Sequence, residues 1–219
     1  MMMSLKTAIK GIEAAVEPRW PVVVALLAAG GIYVAMPPAM ALGERWTLPV
    51  LVGVLLVPAV VTHRAGKHRL NMVIGLCING VVSFFELTSL ALLIRQLPDP
   101  ATKPVLLLQS AAALWLTNVL VFSLWYWRLD GGGPRARHLH TARGTSWFLF
   151  PQMLVAGESS EPWIPKYVDY LFLAFNTSTA FSPTDTAVLA RPAKLLMMAQ
   201  SLISVAIVAL VAARAVNII

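Results

Sequence analysis

Three polar residues recur on one helical face of an otherwise apolar run near the middle of the chain. Asn79, Ser83 and Glu86 are spaced by four and then three positions, which places them on one stripe of a helix. An ionisable group inside a hydrocarbon-spanning helix costs roughly 2.5 to 3.5 kcal/mol on insertion scales, so such a group needs a reason to be there. The Glu86 carboxyl group is expected either to be protonated or to pair with a donor from another helix, and either state suits a proton or cation path. A packing role is the competing reading, with Asn118 or Gln109 as the donor across the helix interface. A second stripe, Gln200, Ser204 and Arg214, runs along the last apolar segment through Ile207 and Val211. Arg214 sits near one end of that segment, where its long side chain can snorkel to the interface. His63, His68, His138 and His140 all lie in basic connections, so neither a haem nor a metal site is expected. No nucleophile elbow or phosphate loop appears, and no enzymatic activity or cofactor is expected.

These stripes need long apolar helices to carry them, and the composition provides for that. The 219 residues are 58% hydrophobic and 12% charged, with a mean hydropathy of +0.73, whereas soluble domains are about a quarter charged. At about 20 residues per span, the chain has room for five or six crossings and no separate soluble domain. Apolar runs place spans at about 20–36, 47–62, 70–94, 105–127, 163–182 and 194–217. The second contains Pro58, where a kink is expected. The expected class is all-α, a polytopic helical protein of a bacterial-type inner membrane with about six spans. It forms one membrane domain over 1–219, made of an amphipathic segment 1–19, a four-helix part 20–128, a basic glycine-rich loop with an interfacial segment 129–162, and a helical hairpin 163–219.

Charge sets the expected orientation, because cytoplasmic connections hold the excess of Lys and Arg. With six spans and both termini inside, Lys6, Lys10, Arg19, Arg64, Lys67, Arg69, Arg128, Arg135, Arg137, Arg143, Lys166 and Arg214 face the cytoplasm. Arg45, Arg95, Lys103, Arg191 and Lys194 face outward, a division of 12 against 5. The net charge of +7 is spread between apolar runs and not gathered in a patch with aromatics, so nucleic acid is not an expected partner. No apolar h-region precedes Trp20, so no signal peptide is expected. Cys77 is the single cysteine, which excludes an intramolecular disulfide. Trp147 to Pro151 is apolar but too short to cross, and is expected to lie at the interface.

The densest polar run is Asn176-Thr177-Ser178-Thr179-Ala180-Phe181-Ser182-Pro183-Thr184-Asp185-Thr186, set between an apolar helix and the last span. Tyr170 to Ala180, this turn and the final helix resemble the pore helix, filter and inner helix of tetrameric potassium-type channels. In that register Thr177 and Thr179 match threonines near the end of the pore helix, and Asp185 matches the aspartate after the filter. The chain is also similar to an uncharacterised bacterial inner-membrane family, through Phe150-Pro151, Tyr167-Val168-Asp169-Tyr170 and Thr177 to Thr186. The filter itself departs from the channel pattern. Ala180-Phe181-Ser182-Pro183-Thr184 has neither of the filter glycines, and Pro183 restricts φ and removes an amide donor. Potassium selectivity through aligned carbonyls is therefore not expected, and any conduction would use hydroxyl groups or Asp185.

Three functional classes follow as expectations. The leading one is an ion channel or ion-permeable pore, oligomeric, with Asn176, Thr177, Ser178, Thr179, Ser182, Thr184 and Asp185 near the path of inorganic cations. The second is a small proton-coupled transporter working through Asn79, Ser83 and Glu86. The third is a membrane scaffold or accessory subunit in which the same polar residues only pack helices. If 163–182 is a re-entrant helix instead of a span, the termini fall on opposite sides and the charge distribution requires entry from the cytoplasm.

Overall fold

The computed structural model describes residues 18–99, 102–139, 146–155, 163–180 and 185–216. Most of the amphipathic N-terminal segment, Arg143, Ser182 and Thr184 lie outside them, as does the side chain of Arg214. Eight α-helices form among the described residues: α1 (Trp20–Ala35), α2 (Thr47–Arg64), α3 (His68–Gln96), α4 (Pro104–Leu129), α5 (Pro134–Leu139), α6 (Gln152–Val155), α7 (Tyr167–Ala180) and α8 (Arg191–Val216). Two strands of two residues each, β1 (Phe148–Leu149) and β2 (Ala187–Val188), complete the secondary structure. The all-α class is borne out. Four helices, α2, α3, α4 and α8, are long and apolar enough to cross a membrane.

Local chemistry accounts for where these helices begin and end. Pro21, Pro104 and Pro192 stand in the first turns of α1, α4 and α8, where a missing N–H removes no helical bond. Helix α2 runs on through Pro58, and Thr62 Oγ1 donates to Pro58 O at 2.6 Å. Gly66 closes α2 at φ 69°, with Gly66 N donating to His63 O at 3.1 Å and Lys67 N to Thr62 O at 3.0 Å. That paired arrangement is a Schellman cap, and it turns the chain directly into α3.

Helix α4 is the centre of the bundle, packing against α1, α3, α7 and α8, while α2 packs on α3. Its buried face includes Leu107, Ala111, Leu114, Val121, Leu124, Tyr126 and Trp127. On the neighbouring helices Tyr33 meets Phe85 edge to face with ring centroids 5.4 Å apart. The outward faces are apolar too: Val50, Val54, Val57 and Val61 of α2 and Leu195, Met198, Leu202 and Val205 of α8 are exposed. Such faces suit a lipid solvent or further copies, not water.

Past α4 the chain turns through a packed corner. Asp130, fully buried, begins a 3-10 turn over Asp130–Gly132, followed by Gly133. Gly131, Gly132 and Gly133 take φ of 57°, 77° and 98°, a left-handed run open to glycine at little strain. The Asp130 carboxylate accepts hydrogen bonds from Trp147 N at 2.5 Å, from Ser146 Oγ at 3.2 Å and from the Tyr170 hydroxyl. Arg137 Nη1 donates to Asp130 O at 2.9 Å and to Trp127 O at 2.6 Å, and its guanidinium stacks 4.9 Å from the Tyr170 ring centroid. The segment expected at the interface is thereby drawn inward. Phe148 and Phe150 are buried, in aromatic contact with Tyr126, Tyr170 and Trp163.

β1 pairs antiparallel with β2, Phe148 opposite Val188 and Leu149 opposite Ala187. This pairing fixes the start of α8 at the end of the bundle where α4 finishes and α7 begins. Helices α7 and α8 therefore run side by side in the same direction, α8 beginning at the end where α7 begins. Helix α7 has 14 residues, about 21 Å at 1.5 Å per residue, against a hydrocarbon core of ~30 Å. The expected span over 163–182 is in fact this shorter helix, started by Asp169, whose carboxylate accepts from Lys166 N at 2.7 Å.

Asp130→Ala removes the acceptor for Trp147 N, Ser146 and Tyr170 together. It should lower stability by about 2 to 4 kcal/mol, since buried donors left unpaired cost about 1 to 3 kcal/mol each. Thermal unfolding of the full chain in detergent measures this, with Asp185→Ala, at an exposed position, expected to shift the midpoint little.

Candidate functional site

Asn79 and Glu86 of one expected polar stripe and Gln200 and Ser204 of the other are buried, but they behave differently. Gln200 of α8 is fully buried, and its Nε2 donates to Ala174 O and to Ser178 Oγ, each at 2.7 Å. Its Oε1 accepts from the Tyr126 hydroxyl at 2.5 Å. Asn118 Nδ2 donates to Gln200 O at 3.2 Å and to Ser204 Oγ at 2.7 Å. One amide side chain thus joins α4, α7 and α8 at mid-bundle, with Trp115 Nε1 reaching Ser178 O at 3.4 Å beside it. A second tie, Tyr167 hydroxyl to Ser123 Oγ at 2.7 Å, locks the entry of α7 onto α4.

The hydroxyl groups of α7 are divided between its two faces. Thr177 and Ser178 are buried, and Thr177 Oγ1 donates back to Leu173 O at 2.8 Å. Thr179 is exposed and bonds Phe175 O at 2.7 Å, and Asn176 Nδ2 bonds Phe172 O at 2.9 Å. Phe172 and Phe175 are exposed alongside them. Asp185, where the described chain resumes after α7, is exposed. The candidate pore residues of α7 are thus not one cluster within a single copy: Thr177 and Ser178 serve the bundle, while Asn176, Thr179 and Asp185 are directed away from it.

On α3 the stripe is buried without being paired. Asn79, Glu86 and Ser89 are 1%, 3% and 0% exposed. Both amide atoms of Asn79, Oε1 of Glu86 and Oγ of Ser89 have no hydrogen-bond partner among the described residues. The donors expected for Glu86 are occupied elsewhere or point away, since Asn118 is committed to α8 and Gln109 is exposed. Ser83 leaves the set: its Oγ donates to Asn79 O at 2.8 Å and accepts from Trp125 Nε1 at 2.9 Å. Among the described residues no group of three or more His, Cys, Asp or Glu side chains comes together to hold a metal.

Two residues that sequence reasoning passed over are central here. Asp130 reads as a loop residue beside three glycines, yet it is the acceptor that closes the α4–α7 junction. Tyr126 reads as one more aromatic near a span end, yet its hydroxyl completes Gln200. A hint for each was present, because a lone acid directly after an apolar helix, or a tyrosine within it, carries a polar group that burial obliges to find a partner.

Gln200→Leu keeps the volume but strands the Tyr126 hydroxyl and Ser178 Oγ, and should cost about 2 to 4 kcal/mol. Adding Tyr126→Phe should recover part of that loss, a non-additivity readable from unfolding of the single and double variants.

Comparison with known protein families, with curated proteins and with solved structures finds no match to this chain, so its function has to be argued from the geometry alone.

Proposed function

We propose that the protein is an integral membrane protein whose C-terminal part, α7, the following turn and α8, is a re-entrant hairpin that forms an ion-permeable path between copies of the chain. The single observation carrying this reading is that α7, half the length of α8, runs beside it in the same direction. A full-span helix would deliver the chain to the opposite end before α8 began. A half-length helix ends its hydrogen-bonded backbone at depth, at Ala180, which is tolerated only where protein or water covers that end.

Charge supports the same topology. Five crossings, α1, α2, α3, α4 and α8, put the ends of the chain on opposite sides, and the hairpin enters from the end holding Arg19, Arg64, Lys67 and Arg128. Arg191 and Lys194 then join that basic side and Arg214 leaves it, so 13 of the 17 Lys and Arg residues share one side, against 12 for six crossings. By the positive-inside rule this side is cytoplasmic. The outward face of α7, with Phe172, Phe175, Asn176 and Thr179, is where a second copy would complete the path. Asp185 at its mouth would favour cations.

The unpaired polar atoms of Asn79, Glu86 and Ser89 favour a second reading, in which a proton or cation moves along α3 within one copy.

Topology and transport are tested separately. In a Cys77→Ser background, cysteines at Lys67 and Leu189 should be labelled from one side by an impermeant reagent, and one at Ala213 from the other. Labelling of Lys67 and Leu189 from opposite sides, as six full crossings require, would overturn the re-entrant hairpin. In proteoliposomes, Asp185→Asn should lower cation flux several-fold if the hairpin conducts, whereas wild-type flux no greater than in empty vesicles would sink the pore reading. Glu86→Gln, which keeps shape, should abolish proton-driven uptake only if the α3 path is the one used.

A further inference from the structure

Where α1, α3 and α4 meet at the basic end, the buried guanidinium of Arg128 and the half-buried one of Arg19 have no ion pair among the described residues. Arg128, next to last in α4, is 8% exposed, and its Nε has no hydrogen-bond partner. Among the described residues its side chain forms no ion pair, and its one close aromatic contact is with Trp127, at 5.6 Å from the ring centroid. The guanidinium rests directly on the backbone of α3 at Gly75, where the Cβ of any other residue would fall inside it. A glycine within a helix costs about 1 kcal/mol relative to alanine. Here it creates the seat that Arg128 occupies.

Arg19, just before α1, supplies the second guanidinium. Its Nη1 donates to Asn71 Oδ1, and its Nε is buried and unpaired. Asn71 is itself fixed, donating through Nδ2 to Ala59 O at 2.6 Å and to Thr62 Oγ1 at 3.4 Å. It is therefore a positioning residue that aims Arg19. Asn71, which Arg19 meets, and Gly75, on which Arg128 rests, stand one turn apart on α3, so the two guanidinium groups are neighbours. The nearby carboxylate of Asp130 is already taken by Trp147 N, Ser146 and Tyr170.

Two like charges drawn together and partly desolvated, each with a buried Nε unpaired among the described residues, are favoured by an anion between them. We propose that Arg19 and Arg128, seated over Gly75 and aimed by Asn71, form a binding site for a phosphate group, carried by an anionic lipid headgroup or free as inorganic phosphate. Guanidinium forks match phosphate oxygens in pairs, and a basic pocket between helices at the cytoplasmic face is where an acidic headgroup would lie. This inference does not depend on whether the hairpin conducts.

The test uses the full-length protein, with thermal unfolding followed in two arms. One arm adds inorganic phosphate against chloride at equal ionic strength, in detergent. The other compares nanodiscs of phosphatidylcholine with nanodiscs containing phosphatidylglycerol. At least one arm should raise the wild-type midpoint; a rise with phosphate identifies the free anion, and a rise only with phosphatidylglycerol identifies the headgroup. Arg128→Gln should weaken the effect roughly tenfold to hundredfold, the worth of a charged hydrogen bond, and Lys67→Gln, an exposed cation at the same end, should leave it intact. If Arg128→Gln does not fold, Arg19→Gln carries the same comparison. No rise in either arm, or an equal loss in Lys67→Gln, would overturn the site.

Discussion

The arrangement of the C-terminal half depends on one amide. Gln200 is buried at mid-bundle, where a primary amide has no water to fall back on, so each of its donors and its acceptor must be met by protein. They are met by two helices: the backbone and a hydroxyl of α7, and a tyrosine of α4, whose Asn118 also bonds Gln200's backbone carbonyl. Only one relative placement of α7 and α8 satisfies all of them. If α7 were shifted along its axis by a single turn, Ala174 O and Ser178 Oγ would move by about 5.4 Å and the amide would be left bare. Apolar packing between helices in lipid has little such specificity, because hydrocarbon tails compete with side chains on equal terms. The polar centre therefore supplies the register that apolar surfaces cannot.

Asp130 does at the end of the bundle what Gln200 does at its middle. The chain leaving α4 has to turn sharply and then bring Trp147 to Phe150 back against α7. The three glycines allow the turn, and the carboxylate fixes where the returning strand lands. β1 then offers its edge to β2, and this short ladder anchors the beginning of α8. Arg137, bonded to Trp127 O and Asp130 O and stacked on Tyr170, covers the junction. A loop that reads as flexible and basic is in this part a packed corner.

The long apolar helices were legible because their signal is composition summed over many residues, and α2, α3, α4 and α8 all fall where the apolar runs lie. Burial of the Asn79–Glu86 and Gln200–Ser204 stripes was legible from spacing alone. The length of α7 was not. Trp163 to Phe181 has the composition of a span, and nothing in composition reports that Pro165 and Lys166 stand outside the helix while Asp169 starts it at Tyr167. The direction of α8 relative to α7 was equally hidden, since it depends on a two-residue strand pairing across 40 positions of sequence, Phe148 to Val188. Gly75 could have been noticed, because a glycine in the interior of a long helix asks what comes close to it. The answer, an arginine 53 positions later, is tertiary information.

The distribution of satisfied and unsatisfied polar groups separates scaffold from site. Around Gln200 and Asp130 almost every donor has its acceptor, as expected of parts that hold a fold together. Asn118 Oδ1 beside Gln200 and Arg137 Nε beside Asp130 are the unpaired atoms there among the described residues. At two other places buried polar atoms remain open: the α3 stripe of Asn79, Glu86 and Ser89, and the guanidinium pair of Arg19 and Arg128. The two differ in kind. The stripe offers oxygens and an amide, a set that receives protons, water or a small cation. The pair offers only donors with positive charge, which receive an anion. In a bundle whose remaining centre is this completely bonded, an open polar group is better explained by something that comes and goes than by loose packing.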